Sequence, residues 1–278
     1  MISESNADYH ANRAISHSKL ECYRRRPALF YKRFVLQMLP PPKESNALRI
    51  GSAAHCAILE EQAFLERYVV LPDIDRRTKE GKALFAEFSA QHAGKTFLTE
   101  DELDQLMQMR IAVEAHPIAR ELLSAGQPEV TWRTPDMHWR RLQCRTDWWN
   151  AEGCEASDGK PYVVDIKTVE SLDRDAFRNF ERAVFSFGYH RQAGFYLPLI
   201  NELHDKPVSR MYYIAVEKVE PYGVGVYRLS DEAIGRGMDE NTTDLMRLKR
   251  SFDEDDWPNI EPGVRELGLP TWYGRDAT

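Results

Sequence analysis

The sequence predicts an α/β fold in which a central sheet is flanked by helices. Helical patterns fill the chain up to about residue 125, three segments rich in β-branched and aromatic residues follow, and helices then alternate with two more such segments. This order is typical of helices packed on a sheet. The chain has 278 residues, 42% of them hydrophobic, and contains no proline- or glycine-rich linker. We therefore expect one domain spanning 1–278.

Capping signals and apolar spacing predict the helices of the first half. Ser18-Lys-Leu-Glu21 and Thr99-Glu-Asp-Glu102 are capping-box patterns, each of which marks the start of a helix. Pro27 is predicted to interrupt the first helix and open a second, and Pro40-Pro41-Pro42 to form a stiff loop. Further helices are predicted over 48–62, 79–91, 103–115 and 117–123.

The second half carries the predicted sheet. The ranges 129–132, 137–149 and 162–168 are bounded by Pro, Asp and Gly and read as three neighbouring strands, with a turn at 156–161. Helices follow at 174–182 and 189–203, strands at 208–216 and 223–229, and a helix at 231–252. We thus expect a helical region of about 1–125, a sheet region of about 126–252, and an irregular acidic tail at 253–278.

The amino-acid sequence limits the cellular compartment and the kinds of metal site that we expect. There is no apolar run long enough to span a bilayer, and the N-terminus lacks the pattern of a signal peptide, so we expect a cytoplasmic protein without a membrane association. Cysteines 22, 56, 144 and 154 form no C-x-x-C pair. They are predicted to be reduced thiols rather than disulfides or zinc ligands.

Charge is unevenly distributed along the chain. The formal net charge is −7, which alone argues against a nucleic-acid partner. Local potential matters more than the sum, however, and two basic groups stand out. They comprise Arg24, Arg25, Arg26, Lys32 and Arg33, and then Arg133, Arg140, Arg141 and Arg145. Either group could be a solvated face, but the second lies beside the acidic residues described next, where a phosphate would have to bind.

The segment Tyr162-Val-Val-Asp165-Ile-Lys167-Thr168 is the most informative of the chain. Side chains alternate along a strand, so Asp165 and Lys167 project to the same side. If the neighbouring strands pair, Asp147 can meet Asp165 at one sheet edge, and Glu129 could join them. Carboxylates near one lysine suit a hard cation such as Mg²⁺, and the lysine can orient or deprotonate a water there. The alternative for each acid alone is an ion pair with a nearby arginine.

Two helical motifs could complete this site. Gly51 and His55 are one turn apart on an apolar helix, so the glycine would allow a close approach to the sheet while the histidine points into the site. Gln192 and Tyr196 are likewise one turn apart, and both can donate hydrogen bonds to a phosphate or a reacting water. The alternatives are a core histidine, a surface amide and an ordinary core tyrosine.

These motifs follow one another in the order G-x-x-x-H, glutamate, aspartate, D-x-K and Q-x-x-x-Y. In that composite order the chain resembles the PD-(D/E)XK nucleases, and among them the RecE-like exonucleases of the exonuclease VIII type. The resemblance spans about two-thirds of the chain, from Ile15 to Tyr196. It rests on Ile15-Ser-His-Ser-Lys-Leu20, Arg26-Pro27, Gly51-Ser-Ala-Ala-His55, Cys144-Arg145-Thr-Asp147, Val164-Asp165-Ile-Lys167-Thr168 and Tyr189-His190-Arg-Gln192 with Phe195-Tyr196.

The resemblance implies a restriction-endonuclease-like core with a central mixed sheet, and a role for each matching residue. His55, Asp147 and Asp165 would ligate a divalent metal, Mg²⁺ with Mn²⁺ as a substitute. Glu129 would join them or act behind them, and the Ile166 carbonyl would be a further ligand. Lys167 would position the attacking water, and Gln192 and Tyr196 would support the lysine or the phosphate. Because no cysteine follows Cys154, we expect no iron–sulfur cluster of the kind that some relatives carry.

The resemblance also implies a function and partners. The expected enzyme degrades linear double-stranded DNA from free ends, 5′ to 3′, in phage-type recombination, as a ring-shaped homo-oligomer working with a single-strand annealing recombinase. One alternative is a nicking or structure-specific endonuclease that uses the same chemistry. Another is a DNA-binding scaffold that has lost catalysis, against which the intact Asp147, Asp165 and Lys167 argue.

Overall fold

The protein is described here by a computed structural model that covers residue 2 and residues 4–40, 45–135, 140–173, 176–259, 263–264 and 266–268. Its strands are β1 (Tyr68–Val70), β2 (Thr96–Leu98), β3 (Gln127–Arg133), β4 (Gln143–Asn150), β5 (Tyr162–Val169), β6 (Arg210–Glu217) and β7 (Val224–Arg228). Its α-helices are α1 (Asn6–Ala11), α2 (His17–Arg25), α3 (Pro27–Phe30), α4 (Asn46–Leu59), α5 (Glu61–Arg67), α6 (Lys79–Gln91), α7 (Glu100–Ala115), α8 (Pro117–Leu122), α9 (Ala176–Phe187), α10 (Tyr189–Leu203) and α11 (Asp231–Glu254). A π-helix (Tyr31–Val35) follows α3, and a 3₁₀ helix (Glu155–Ser157) precedes β5.

Strands β3 to β7 form one five-stranded sheet in chain order. Neighbouring strands are antiparallel except β5 and β6, which pair in parallel along their whole length. A parallel pair requires a crossover connection, and here α9 and α10 provide it. The predicted mixed sheet flanked by helices is confirmed, and its central strand is β5, which carries the D-x-K motif.

Helices cover both faces of this sheet. On one face the core contains side chains of α2, α10 and α11, and on the other it contains side chains of α4, α7 and α8. Alternation along β5 sends Val163 into the first core and Val164 and Ile166 into the second. Asp165 and Lys167 therefore share the face of Val163, which is the face covered by α10.

Several helix boundaries confirm the sequence-based predictions. Helices α6 and α10 have the predicted bounds, and α7 opens with the predicted capping box of Thr99 and Glu102. The prediction that α2 starts at Ser18 was wrong by two residues, because the Ser16 hydroxyl instead accepts the Lys19 N–H. The helix predicted over 48–62 is interrupted at Glu60, whose backbone leaves the helical region (φ −137°, ψ 68°) before α5 begins.

The strand predicted over 137–149 is shorter than expected. Strand β4 begins only at Gln143, and residues 136–139 lie outside the described part of the chain. The parallel pair of β1 and β2 was not predicted. Each of these strands has three residues, which is too short for an alternating pattern to show.

The predicted loop and tail are described only in part. Pro41, Pro42 and the ranges 260–262 and 269–278 are outside the described residues. Helix α11 runs two residues into the predicted tail, to Glu254, and residues 256–259 have no regular secondary structure, although the Trp257 ring stacks on Tyr31 with centroids 4.5 Å apart. Within the described ranges, no helix has both the length and the apolar character needed to cross a membrane.

Candidate functional site

The two aspartates meet where β4 and β5 separate. Backbone pairing of these strands stops at Trp148 and Val164, one step before Asp147 and Asp165. Beyond this point the Asp147 side chain, rather than its backbone, bonds to β5, because its Oδ2 accepts the Ile166 N–H at 2.7 Å. At this fork, where β4 and β5 separate, Asp147 and Asp165 are not paired through their backbones, and their carboxylates face each other. Asp147 therefore lies inside β4, three residues before its last residue.

Lys167 lies on the same face of β5 as Asp165 and contacts its side chain. Its Nζ lies 2.5 Å from Asp165 Oδ2 and 4.6 Å from the centroid of the Tyr189 ring. Burial alone would lower the pKa of Lys167, but the charges of Asp165 and Asp147 outweigh it and raise that pKa. The lysine is thus held as an ammonium between an acid and an aromatic face.

Helix α10, which covers this face of the sheet, holds Asp165 through a side-chain hydrogen bond. Gln192 Nε2 donates a hydrogen bond of 2.5 Å to Asp165 Oδ1, and Tyr196 lies close enough to Gln192 and Asp165 for both to influence the pKa of its phenol. Burial raises the pKa of Tyr196, so its phenol stays protonated. The structure therefore brings Gln192 and Tyr196 to the site as supports of Asp165, and only through Asp165 to the lysine.

His55 reaches the site from α4. Its Nδ1 lies 3.2 Å from Asp147 Oδ2, and 27% of its side chain is exposed. His55 is therefore not fully buried in the core. The expected role of Gly51 was wrong: a Cβ at that position would lie 3.7 Å from the Thr168 hydroxyl, which is an ordinary contact. Helix α4 would approach the sheet as closely with alanine there.

Glu129 stands beside the fork in an unusual backbone conformation. Its φ of 52° is left-handed, which is rare for glutamate and is found where surrounding structure holds a residue in place. Its Oε2 lies 3.8 Å from Arg145 Nη1. Burial, together with the charge of Asp147, raises the pKa of Glu129 to about 8. The ion pair with arginine, weighed as the alternative for these acids, is thus present at Glu129.

The carboxylates of the fork repel one another. Burial raises the pKa of Asp147 to about 6, with Asp165 adding to the rise and His55 opposing it. Asp165 Oδ2 is buried, and within the described ranges no donor, Lys167 included, has hydrogen-bond geometry to it. The Asp165 carboxylate acts on that of Asp147, which in turn contacts the His55 imidazole, and such oxygen and nitrogen donors fit a divalent cation.

The side chains are not yet arranged as a complete coordination shell. Over the described part of the chain, no group of three or more His, Cys, Asp or Glu residues is placed to hold a metal ion. His55 and Asp147 touch each other, Asp165 is engaged with Lys167 and Gln192, and Glu129 faces Arg145. The structure therefore brings together all the predicted side chains, but in separate contacts.

Two of the four arginines in the second basic group are used inside the protein rather than offered to a phosphate. Arg133 and Arg145 are largely buried and both pair with Glu4, at 2.7 and 4.0 Å. Arg145 also donates to the Glu4 backbone carbonyl and lies over the Tyr9 ring. The Arg140 guanidinium is 4.2 Å from the centroid of the Phe252 ring. The expectation that these arginines serve a ligand beside the carboxylates was wrong for Arg133 and Arg145, because the N-terminal segment uses them.

Two further residues, Tyr189 and His17, lie at the site, although the sequence motifs predicted no role for them. Tyr189 lies three residues before Gln192, on the same face of α10, and packs under Lys167. His17, at the first turn of α2, has its pKa lowered to about 4 by burial, and the charges of Asp165 and Lys167 act on it. The i, i+3 spacing from Gln192 could have identified Tyr189, whereas only the packing of α2 identifies His17.

Comparison with known proteins agrees with this architecture. Residues 17–261 match the family described as "PDDEXK-like domain of unknown function (DUF3799)". A crystal structure of a "putative exonuclease" from Eubacterium rectale superimposes with a TM-score of 0.64 at 13% sequence identity. The match covers 100% of this chain and 99% of that one, and at this identity it shows a shared fold. No curated protein matches the chain.

Proposed function

Because the chain belongs to the family of PDDEXK-like domains, we propose that it is a nuclease that hydrolyses phosphodiester bonds with a divalent cation. The observation that carries this proposal is the fork of β4 and β5, which sets Asp147 opposite Asp165 with Lys167 on the same face. This is the arrangement that D-x-K chemistry requires: two carboxylates for a cation, and one ammonium beside them.

Each residue of the fork has a defined task in this proposal. Asp147, Asp165 and His55 would hold the cation, with Glu129 and the Ile166 carbonyl available as further ligands. When bound, the cation supplies the charge that polarises the phosphate and activates water. Lys167 holds the attacking water or a phosphate oxygen through its N–H groups. In the reaction a bond forms between the water oxygen and phosphorus and the bond to the leaving oxygen breaks. The water gives up a proton to solvent, and the leaving oxygen takes up a proton from solvent.

Positioning falls to α10. Gln192 fixes the orientation of Asp165 through its 2.5 Å hydrogen bond, and Tyr196 lies beside both residues, one turn beyond Gln192 on α10. Because a misplacement of about 1 Å can cost two orders of magnitude in rate, these contacts act on catalysis without touching the reacting atoms.

We further propose Mg²⁺ as the physiological cation, with Mn²⁺ able to replace it, and linear duplex DNA as the substrate. Digestion would start at free ends, proceed 5′ to 3′ and serve phage-type recombination with an annealing partner. The resemblance of the motifs to RecE-like exonucleases supports these finer points. The Eubacterium rectale protein of the same fold is itself named a "putative exonuclease".

One digestion experiment tests the proposal. Linear duplex labelled at either the 5′ or the 3′ end, closed circular duplex and single strand are each incubated with Mg²⁺, with Mn²⁺ and with chelator. We expect the linear duplex to be shortened from its 5′ ends only when a cation is present, and the closed circle to stay intact. Cleavage of the closed circle would instead identify an endonuclease, and no cleavage with either cation would contradict the proposal.

A further inference from the structure

Two neighbouring cavities adjoin the site and share a single residue. The first, of about 450 Å³, lies against α2 and is lined by His17, Ser18 and Arg25 among others. The second, of about 390 Å³, is lined by Thr168 and Tyr189 among others. Phe187, the last residue of α9, lines both cavities. Because Tyr189 also contacts Lys167, the two cavities lie on either side of Phe187 next to the candidate site, and we refer to them together as the groove.

Phe187 is exposed although it is a large apolar residue. Its exposed fraction is 65%, whereas such side chains are usually buried. Beneath it the Tyr189 ring is stacked with centroids 5.8 Å apart and an interplanar angle of 26°. Tyr189 is stacked in turn on the buried Tyr213, at 5.6 Å and 19°. Phe187 is thus the outermost ring of a supported aromatic ladder whose middle ring lies under Lys167.

The other wall of the groove carries positive charge. Arg25 and Arg26 both line the first cavity, and the Arg25 side chain is 64% exposed. The acid on the same wall, Glu21, is already engaged by Arg24 at 2.8 Å and by Arg191 at 2.6 Å. Arg25 lies 3.7 Å from Glu21, without displacing either of those closer partners. The wall therefore offers exposed guanidinium groups to an anion.

We propose that this groove binds a single-stranded segment of nucleic acid on its way to the site, with a base stacked on Phe187 and phosphates on Arg25 and Arg26. This inference rests on the proposed nuclease function and adds the residues that guide the strand. An aromatic platform beside a cationic track is the combination that binds single strands, since every base has a π-face and every linkage a charge. A purely apolar protein partner would cover Phe187 but leave the arginines without counter-charges.

The test is a binding measurement on the full chain in chelator, so that no cleavage can occur. Fluorescence anisotropy of a labelled oligothymidylate is recorded for the wild type and for Phe187→Ala, Phe187→Trp and Phe185→Ala. Phe185 is the matched control, because it lies on the same helix, is 81% exposed and lines neither cavity. We expect Phe187→Ala to weaken binding about 5- to 100-fold, Phe187→Trp to restore it, and Phe185→Ala to leave it unchanged.

The arginines give a second, independent measurement. In Arg25→Ala/Arg26→Ala, the slope of the logarithm of affinity against the logarithm of salt concentration should fall by about 1.4, as expected for two lost phosphate contacts to a single strand. Thermal melting of each variant confirms that the fold is kept.

Several outcomes would overturn the inference. They are wild-type affinity in Phe187→Ala, equal losses in Phe187→Ala and Phe185→Ala, or an unchanged salt slope in the double arginine variant. A wild type that does not bind the oligomer would also overturn it and leave the aromatic face to a protein partner. Failure of the nuclease proposal would show separately, as absence of cleavage by a protein that still binds single strands through Phe187.

Discussion

At the scale of single residues, the site is defined by charges that are held close together at an energetic cost. Asp147 and Asp165 face each other at the fork, and Glu129 adds a third carboxylate nearby. Lys167 Nζ lies 2.5 Å from Asp165 Oδ2 and offsets only part of this charge. A divalent cation would relieve the remaining repulsion.

Removing either half of the D-x-K pair should abolish cleavage while leaving the fold intact. Asp165→Asn deletes a charge from the proposed cation site, and Lys167→Ala deletes the group that holds water or phosphate. Each change is expected to lower the rate by several orders of magnitude. End-labelled duplex digestion measures the rate, and thermal melting checks the fold. Glu152→Gln, at a side chain that is 84% exposed, is the control. Near-normal turnover in Asp165→Asn or Lys167→Ala at matched stability would contradict the assignment.

The raised pKa values predict a pH dependence with a definite sign. Asp147 and Glu129 have pKa values of about 6 and about 8, above their ordinary values near 4, so the fold favours their protonated forms. Their contribution to stability is present below the ordinary pKa and is lost as pH rises through about 6 to 8. Without a cation, the melting temperature of the wild type should therefore fall relative to that of Asp147→Asn between pH 5 and pH 8.

Cation binding should have the opposite pH dependence. Protons must leave these carboxylates before a cation can bind, so the apparent affinity for Mg²⁺ should rise over the same pH interval. Calorimetry in two buffers of different ionisation enthalpy measures the protons released. An affinity that does not change between pH 5 and pH 8 would show that these carboxylates are not ligands.

His55 should matter more for the cation than for the fold. In His55→Ala the half-saturating Mg²⁺ or Mn²⁺ concentration is expected to rise, because the imidazole lies 3.2 Å from Asp147 at a partly exposed position. Gly51→Ala, one turn away on α4, is the control, since its added Cβ meets only the Thr168 hydroxyl at 3.7 Å. A large fall in melting temperature with an unchanged cation requirement would make His55 a core residue instead.

At the scale of elements, α10 has the most demanding position. It carries Gln192 and Tyr196 on the face towards β5, and it is bound to its neighbours by Arg191 on the other. Arg191, which is buried, pairs with Glu21 of α2 at 2.6 Å and with Glu240 and Asp244 of α11 at 3.0 and 2.6 Å. Because a buried arginine is stable only with such partners, this network fixes α10 between α2 and α11.

The crossing of α10 and α11 depends on glycine. A Cβ at Gly237 would lie 2.1 Å from the His190 carbonyl oxygen, a contact that requires the backbones to separate. We expect Gly237→Ala to destabilise the fold by about 1–3 kcal/mol and to lower activity through displacement of Gln192. Gly235→Ala on the same helix is the control, as its Cβ has no neighbour within 4 Å, and it should stabilise by up to about 1 kcal/mol. Chemical denaturation of both variants checks this, and equal stabilities would contradict it.

At the scale of the whole molecule, an acidic protein must retain a polyanion. The net charge is −7, and Arg133 and Arg145 are occupied by internal ion pairs. Arg25 and Arg26 line the cavity beside α2 and offer positive charge close to the site. Segregating charge in this way allows local attraction despite an unfavourable total.

The motif resemblance leads us to propose a ring-shaped homo-oligomer that encloses duplex DNA. Processive digestion would then come from topological retention and should weaken steeply with salt. Light scattering of the protein with and without duplex measures the assembly, and the tract digested per encounter is measured with competitor DNA. Neutralising Arg140 and Arg141 is expected to shorten that tract. A strict monomer on DNA with unchanged tract lengths would remove the ring while leaving the chemistry of the fork untouched.

Much of the architecture could be predicted because it depends on local periods. The capping box of Thr99 and Glu102 gave the start of α7, and the bounds of α6 and α10 followed from apolar spacing and composition. The alternation along β5 placed Asp165 and Lys167 on one face, and the structure has them in contact. These features require only a few residues of chain and their backbone geometry, so the sequence alone determined them.

Other features depended on partners distant in the chain, and only the tertiary structure decided them. No local sequence pattern predicts three of these features. They are the separation of β4 from β5, the left-handed backbone of Glu129 and the ion pair of Arg145 with Glu4. Nor does any local pattern predict the exposed ring of Phe187 beside Tyr189. Alternation along a strand states which side chains share a face, but charges and rings compete for neighbours across the whole fold. That competition is settled only when the elements pack.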